Sequence, residues 1–197
     1  MGKLFFIMGK SSSGKDTIYQ KLMADTSLNL QPVVGYTTRP IRENEKNGRE
    51  YYFVSREKLE QLRQEGKVIE CRDYQTVHGI WSYFTVADEQ LDFTRNNYLY
   101  IGTLESYEKL VAYYGQEKIV PIFIEIDDGL RLERALNRER QQKHPDYKEM
   151  CRRFLADCED FSEEKIHAAG IKERYNRENS QESYLMIKEM IQKLNYE

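Results

Sequence analysis

The chain has 197 residues, enough for one domain whose hydrophobic core needs no support from disulfides or metals. Hydrophobic residues make up 40% and charged residues 32% of the sequence, and the net charge is −3 at pH 7. This composition is typical of a folded globular protein, and it argues against nucleic acid or a membrane surface as a partner.

The cysteines and the N-terminal segment give no sign of export. The three cysteines are scattered without a Cys-x-x-Cys pair, so neither a disulfide framework nor a zinc site is indicated. The first apolar run, residues 4–8, is too short for a signal peptide or a membrane span. We therefore expect a cytoplasmic protein, either a monomer or a homodimer.

A glycine-bounded loop follows the first apolar run. Residues 9–17 read Gly-Lys-Ser-Ser-Ser-Gly-Lys-Asp-Thr, and a helical pattern begins within them. A strand, such a loop and a helix form the context of a nucleotide phosphate loop, in which backbone N–H groups surround phosphate oxygens and the helix adds its positive end. We expect Lys15 to reach the β- and γ-phosphates. A tight glycine turn between strand and helix is the alternative interpretation.

The predicted nucleotide-phosphate site uses the whole loop, and Mg²⁺ is the cofactor that normally accompanies such a loop. Its residues are Gly9, Ser11, Ser12, Ser13, Gly14, Lys15, Asp16 and Thr17. Asp16 stands where the motif has a Ser or Thr whose hydroxyl binds Mg²⁺, and Thr17 follows it. A carboxylate at Asp16 would hold the ion directly or through a water. Alternatively, Asp16 caps the helix and Thr17 or water serves the metal.

The order of elements predicts an α/β fold, a P-loop core with a parallel sheet flanked by helices. Apolar runs at 4–8, 32–34, 98–101 and 120–126 are separated by helical patterns at 15–25, 87–95, 105–114 and 129–140. Aromatic and β-branched stretches dominate between them from about 36 to 84, with one helical pattern at 56–65. We expect a single domain made of a core (1–35, 86–137 and 165–197), a small β-rich insertion (36–85) and a lid (138–150) followed by a helix to about 164.

The lid is predicted from its arginines. Arg131, Arg134 and Arg138 are spaced to share one helix face, a polar loop follows at 140–146, and Arg153 lies on the next helical pattern. Two arginine-bearing helices around a loop suit a cover for bound phosphate groups. A solvated pair of charged helices is the alternative.

A second basic segment lies at the start of the insertion. Residues 37–54 read Thr-Thr-Arg-Pro-Ile-Arg-Glu-Asn-Glu-Lys-Asn-Gly-Arg-Glu-Tyr-Tyr-Phe-Val. Arg39 and Arg42 would present two guanidinium groups to one phosphate. The Asn-Gly turn at 47–48 would bring the Tyr51 hydroxyl back toward them. Taken alone, this segment also reads as a charged surface hairpin.

These residues resemble the monophosphate-binding segment of guanylate kinases, and the resemblance extends along nearly the whole chain. It implies a P-loop nucleoside monophosphate kinase that transfers the γ-phosphoryl group of Mg·ATP to GMP or dGMP. By this resemblance, Arg138 and Arg153 are catalytic together with Lys15, Arg134 joins the ATP site, and Asn176 falls near the adenine. The implied acceptor-binding residues are Arg39, Arg42, Tyr51, Glu70, which matches the acid that faces guanine, and His78.

The chain departs from the family at positions that recognise the base. Gly35-Tyr36 replaces a hydroxyl residue before Thr-Thr-Arg, and residues 99–102 lack the family's Asp-x-Asp pair, Glu105 being the nearest acid. The family's Tyr-Gly-Ser/Thr element aligns with either His78-Gly79 or Trp81-Ser82. Two alternatives therefore remain, a kinase of the same fold with another small phosphorylated acceptor and a non-catalytic module that binds phospho-ligands. The intact loop from Gly9 to Lys15 argues against the second.

Overall fold

Strands and helices alternate along the chain in the computed structural model, which describes residues 2–76, 79–176 and 180–196. The strands described are β1 Leu4–Met8, β2 Leu30–Pro32, β3 Tyr36–Thr37, β4 Tyr52–Phe53, β5 Val68–Thr76, β6 Gly79–Val86, β7 Asn97–Ile101, β8 Ile119–Glu125 and β9 Arg174–Asn176. The helices described are α1 Lys15–Ala24, α2 Arg56–Gln64, α3 Leu104–Tyr114, α4 Asp128–Arg140, α5 Tyr147–Asp160, α6 Glu163–Ala168 and α7 Ser180–Tyr196.

The core is a parallel sheet with the strand order β2-β7-β1-β8-β9. All five residues of β1 are buried, as expected of a central strand that is covered on both faces. Phe6 packs on one face with residues of α3, whereas Phe5 and Ile7 pack on the other with residues of α1 and α7. The predicted parallel sheet flanked by helices is confirmed.

The insertion forms a second sheet, with the order β4-β3-β6-β5, and its hairpin of β5 and β6 is antiparallel. One face of this sheet packs on α2, where Leu59 and Leu62 meet Phe84 and Val86. Side chains alternate along a strand, so the residues between these apolar positions face away from α2. The paired positions Glu70–Thr85 and Arg72–Tyr83 share that other face.

The helix predicted at 87–95 is wrong, because this segment is a series of turns. The Asp88 carboxylate accepts the backbone N–H of Gln90, and the Asp92 carboxylate accepts that of Thr94. Such local bonds compete with a helix for the backbone donors. The other four helical patterns are confirmed as α1, α2, α3 and α4, and the strand predicted at 32–34 lies at Leu30–Pro32. In the described part of the chain, no helix combines the length and apolar composition needed to span a bilayer.

Candidate active site

The loop between β1 and α1 has the backbone of a phosphate-binding loop. Gly9 has φ +154°, and a Cβ there would lie 2.3 Å from the carbonyl oxygen of Ile124. Gly14 is the N-cap of α1 with φ +90°. The buried hydroxyls of Ser12 and Ser13 have no hydrogen-bond partner within the described part of the chain. Unpaired buried polar atoms are costly, so these hydroxyls fit a ligand rich in acceptor oxygens.

Four cationic side chains surround this loop. Burial lowers the pKa of Lys15, and its Nζ lies 3.5 Å from the carbonyl oxygen of Lys10. Arg138 and Arg153 are close enough to lower the same pKa further, and both line a cavity of about 180 Å³ together with Ser11 and Ser12 of the loop. Arg134 Nη1 lies 3.9 Å from the position of a Cβ on Gly14. The structure therefore brings the lid arginines to the loop.

The first turn of α1 holds the two residues predicted to bind the metal. Asp16 and Thr17 are both exposed there. The alternative in which Asp16 is the N-cap of α1 is wrong, because Gly14 is the N-cap residue and no side-chain capping hydrogen bond is found there among the described residues. The Asp16 carboxylate is near enough to Lys15 to oppose the lowering of the lysine pKa.

A buried arginine fastens α5 to the phosphate loop. Arg131 is 1% exposed, and its guanidinium lies 3.8 Å from the ring centroid of Phe154. Its Nη1 donates to Asp157 Oδ2 at 3.2 Å, and the same oxygen accepts the backbone N–H of Ser11 at 2.8 Å. Arg131 Nε also donates to Asp128 at 2.9 Å. Arg131 therefore serves the lid as an internal connector, although the sequence grouped it with Arg134 and Arg138.

The predicted acceptor segment forms a compact cluster around Arg39. This residue is 4% exposed, and its two Nη atoms donate to the Glu45 carboxylate at 2.7 and 2.6 Å. The predicted turn is present, since the Gly48 N–H donates to the Tyr51 carbonyl oxygen at 2.9 Å. The Arg39 guanidinium consequently lies 5.5 Å from the Tyr51 ring centroid. Arg42 is exposed, and it contacts Glu45 through its backbone: its N–H donates to the Glu45 carboxylate, and its carbonyl oxygen accepts the Glu45 N–H.

The pKa of Glu45 predicts how the stability of the fold changes at low pH. Hydrogen bonds from Arg39 lower the pKa of Glu45 from its ordinary 4.5 to about 2. Because the folded-state pKa is depressed, this pair stabilises the fold above pH 4.5, and its contribution is lost as the pH falls toward 2. Glu45→Gln should therefore lower the free energy of unfolding at pH 7 by about 1.5–3 kcal/mol. It should also make the free energy of unfolding depend less on pH below pH 4.5.

The measurement is urea unfolding at a series of pH values. Glu43→Gln, at an exposed position of the same segment, is the matched control and should follow the wild type. If the free energy of unfolding fell equally with pH in the wild type and in Glu45→Gln, the Arg39–Glu45 pair would not contribute as described.

The sequence reasoning missed two residues of this cluster. The Tyr83 ring lies 5.5 Å from that of Tyr51, and its hydroxyl adds to the effect by which Glu45 raises the pKa of Arg39. Thr85 Oγ1 donates to Glu70 Oε1 at 2.8 Å. Tyr83 and Thr85 therefore place hydroxyl groups beside the predicted acceptor residues, whereas the Ser82 hydroxyl donates to Asp73. His78, the other predicted alignment, lies outside the described residues, as does the side chain of Asn176.

Glu70 is buried in a polar group of its own. Its side chain is 3% exposed, and Arg72 Nε donates to Glu70 Oε2 at 3.2 Å. The Tyr100 hydroxyl lies 3.0 Å from Thr85 Oγ1, and burial raises the pKa of Tyr100 to about 12. A Cβ on Gly35 would come within 2.8 Å of that hydroxyl. The glycine that replaces the family's hydroxyl residue therefore makes room for a tyrosine on the strand that lacks the Asp-x-Asp pair.

These features define a class. A parallel sheet with a glycine-bounded phosphate loop between its first strand and first helix is the core of a P-loop NTPase. The model of the guanylate kinase family matches residues 1–162 of this sequence. The chain belongs to the guanylate kinase family.

Individual relatives agree with this assignment. The chain is 32% identical to the guanylate kinase of Malacoplasma penetrans over 139 residues, 70% of this chain and 58% of that protein. It is also 32% identical to the guanylate kinase of Porphyromonas gingivalis over 126 residues, 63% of this chain and 65% of that protein. The matches thus span less than two thirds of the length of these curated relatives.

A solved structure gives the same picture of the fold. The crystal structure of guanylate kinase from Anaplasma phagocytophilum matches with a TM-score of 0.63 over 97% of this chain and 85% of that chain. The two sequences are 22% identical over this match, so the similarity is one of fold.

Proposed function

We propose that the protein transfers the γ-phosphoryl group of ATP to GMP or dGMP, producing ADP and the nucleoside diphosphate. The observation that carries this proposal is the convergence of Lys15, Arg138 and Arg153 on the phosphate loop. The relatives that match are guanylate kinases by name, which supports the same reaction here. No observation favours another phosphorylated acceptor or a non-catalytic module.

The proposed chemistry needs positioning and positive charge more than covalent participation by the protein. Lys15, Arg138 and Arg153 would neutralise the charge that develops on the transferred group. Gly9, Ser11, Ser12, Ser13, Gly14 and Arg134 would hold the phosphates of ATP. No general base is required, because a phosphate monoester is already an anionic nucleophile near neutral pH.

Arg39 would hold the acceptor phosphate with help from hydroxyl groups. Its two Nη atoms bind Glu45, whereas its buried Nε has no hydrogen-bond partner among the described residues. An acceptor phosphate would supply one, and the hydroxyls of Tyr51 and Tyr83 lie on rings beside it. Arg42, being exposed, is free to turn toward the same phosphate.

The residues present fit Mg²⁺ bound together with ATP. The part of the chain described holds no group of three His, Cys, Asp or Glu side chains suited to a metal. Mg²⁺ in phosphoryl-transfer sites usually takes one or two protein oxygens and completes its shell with phosphate oxygens and water. Asp16 and Thr17 offer such oxygens at the exposed first turn of α1. The bound ion would neutralise charge on the phosphates.

The proposal includes the organisation of the chain. In this organisation, the core comprises residues 1–35, 86–137 and 165–197. The acceptor-binding insertion comprises residues 36–85, and the lid comprises residues 138–150 with the helix that follows. We also propose that the protein is a cytoplasmic monomer or homodimer and that its partners are small-molecule nucleotides.

A coupled assay of ADP release tests the proposed reaction. Purified protein would be given Mg·ATP and, in turn, GMP, dGMP, AMP, CMP, UMP and dTMP. We expect turnover with GMP or dGMP above all others. ATP binding by calorimetry without turnover on any acceptor would favour a binding module, and turnover with a pyrimidine alone would favour a different acceptor.

A further inference from the structure

A cavity of about 610 Å³ lies between the inserted sheet and the start of α3. Its walls include Arg72 and Tyr74 of β5 on one side and Thr103 and Glu105 on the other. Arg72 and Tyr83 are paired positions in the hairpin, so the cavity wall and the Arg39 cluster share the sheet face that points away from α2. A nucleotide whose phosphate binds at Arg39 would extend its base along this same face, toward the cavity.

Arg72 is the arginine among the charged residues that line this cavity, which also include Asp73, Glu105, Glu108, Asp160 and Lys165. Its side chain is 19% exposed, whereas that of Glu70 behind it is 3% exposed. Glu70 does not line the cavity, and both of its carboxylate oxygens are already bound, one by Thr85 Oγ1 and one by Arg72 Nε. A base entering the cavity therefore meets the arginine before the carboxylate.

The Arg72 side chain is held in place by two hydrogen bonds and keeps further N–H donors for a ligand. Nε donates to Glu70 at 3.2 Å, and Nη1 donates to Thr103 Oγ1 at 3.2 Å. A guanidinium has five N–H donors in one plane, so these two bonds leave three for a ligand. Because strand β5 and the N-cap residue of α3 both anchor the group, its plane is fixed relative to the cavity.

A fixed guanidinium selects a base that offers two acceptors side by side. Guanine has O6 and N7 in that arrangement, and arginine binds this pair with two parallel hydrogen bonds. Adenine has an amino group in place of O6, so a donor would face a donor. A hypoxanthine base has the same O6 and N7 as guanine and lacks only the 2-amino group.

We propose that Arg72 is the specificity-determining residue of the acceptor site, that it reads O6 and N7 of a 6-oxopurine monophosphate, and that Glu70 acts through it as a positioning residue. This proposal rests on the proposed function and adds what the acceptor site distinguishes. It separates 6-oxopurines from adenine, and it does not separate GMP from IMP. A carboxylate that itself contacts guanine would instead read the ring N–H and the 2-amino group, and would favour GMP over IMP.

The test is kcat/KM for GMP, IMP and AMP in the wild type and four variants. We expect the wild type to use GMP and IMP within about tenfold of each other and AMP far less well. Arg72→Ala should lower kcat/KM for GMP and IMP by similar factors, about 10- to 150-fold, and leave AMP nearly unchanged. Arg72→Lys keeps the charge but loses the planar fork, so most of the loss should remain.

The matched control is Arg63→Ala. Arg63 contacts the same strand from the α2 side, where its Nη2 lies 3.1 Å from Cys71 Sγ. The Arg63→Ala variant should therefore leave kcat/KM for GMP, IMP and AMP unchanged. Circular dichroism and the KM for ATP would report whether each variant is folded.

Glu70→Gln separates the two roles of the carboxylate. As a positioning residue it should raise the KM for GMP and IMP by the same factor, with the KM for ATP unchanged. A larger loss for GMP than for IMP would assign the contact to Glu70 itself and overturn the proposal. So would an unchanged ratio of GMP to AMP in Arg72→Ala. A wild type without activity on any purine monophosphate would instead overturn the proposed function, and this inference with it.

Discussion

Replacing Lys15 by methionine should lower kcat/KM for phosphoryl transfer by about 100- to 1,000-fold, the usual cost of removing one preorganised electrostatic contact to a transition state. Methionine retains much of the side-chain volume and removes the charge. Lys15 lies within the buried environment of the phosphate loop, close to Arg138 and Arg153, so water does not readily replace the lost ammonium group. The measurement is the initial rate with saturating Mg·ATP and varied GMP.

Lys21→Met provides the control for this substitution. Lys21 lies on the same helix, and its Nζ donates to Gln181 on α7, away from the loop. Its kcat/KM should stay within about twofold of the wild type, as expected for a position outside the site. If kcat/KM fell less than tenfold in a folded Lys15→Met variant, Lys15 would not stabilise the transition state as proposed.

Replacing Arg131 by alanine should lower the free energy of unfolding by about 3–5 kcal/mol, the range for breaking a buried ion pair by removing one partner. Asp157 would lose its charged partner, and the face of Phe154 would lose its guanidinium cover. Activity should fall in the same variant, because Arg153 lies on α5, the helix that Arg131 and Asp157 hold against the loop.

The stability of this variant would be measured by urea unfolding at pH 7. Arg152→Ala is a suitable control, since Arg152 is 61% exposed and pairs only with Glu149 on its own helix among the described residues. Exposed pairs of this kind contribute about 0–1 kcal/mol. A loss as small in Arg131→Ala would mean that the connection between α5 and the loop is unimportant for folding.

The central sheet and the phosphate loop were predictable because their signals are local. An apolar run followed by Gly9, Gly14 and Lys15 determines a strand, a turn and a helix within 20 residues. The helix at 87–95 was predicted wrongly for a complementary reason. Its apolar spacing suits a helix, but Asp88 and Asp92 bind the backbone N–H groups that a helix would need for itself.

The base-facing side of the insertion was less predictable, because it depends on the register of the hairpin. Glu70 was predicted from the resemblance to guanylate kinases, but its partner Thr85 lies on the neighbouring strand, at a register that the sequence leaves open. Shifting that register by a few residues exchanges the partners of every strand residue. Counting outward from the pair of Thr76 and Gly79 gives Arg72 opposite Tyr83, a pairing that the sequence alone does not reveal.

The close approach of Gly35 and Tyr100 makes the residue choices at these two positions interdependent. A side chain at position 35 would enter the space of the Tyr100 hydroxyl, which is buried and braced by the ring of Phe6. Restoring a side chain at position 35 therefore requires a smaller residue at position 100, and the tyrosine at position 100 requires a glycine at position 35. These two departures from the family pattern are sterically coupled, so neither is expected to be reversible by a single substitution without loss of stability.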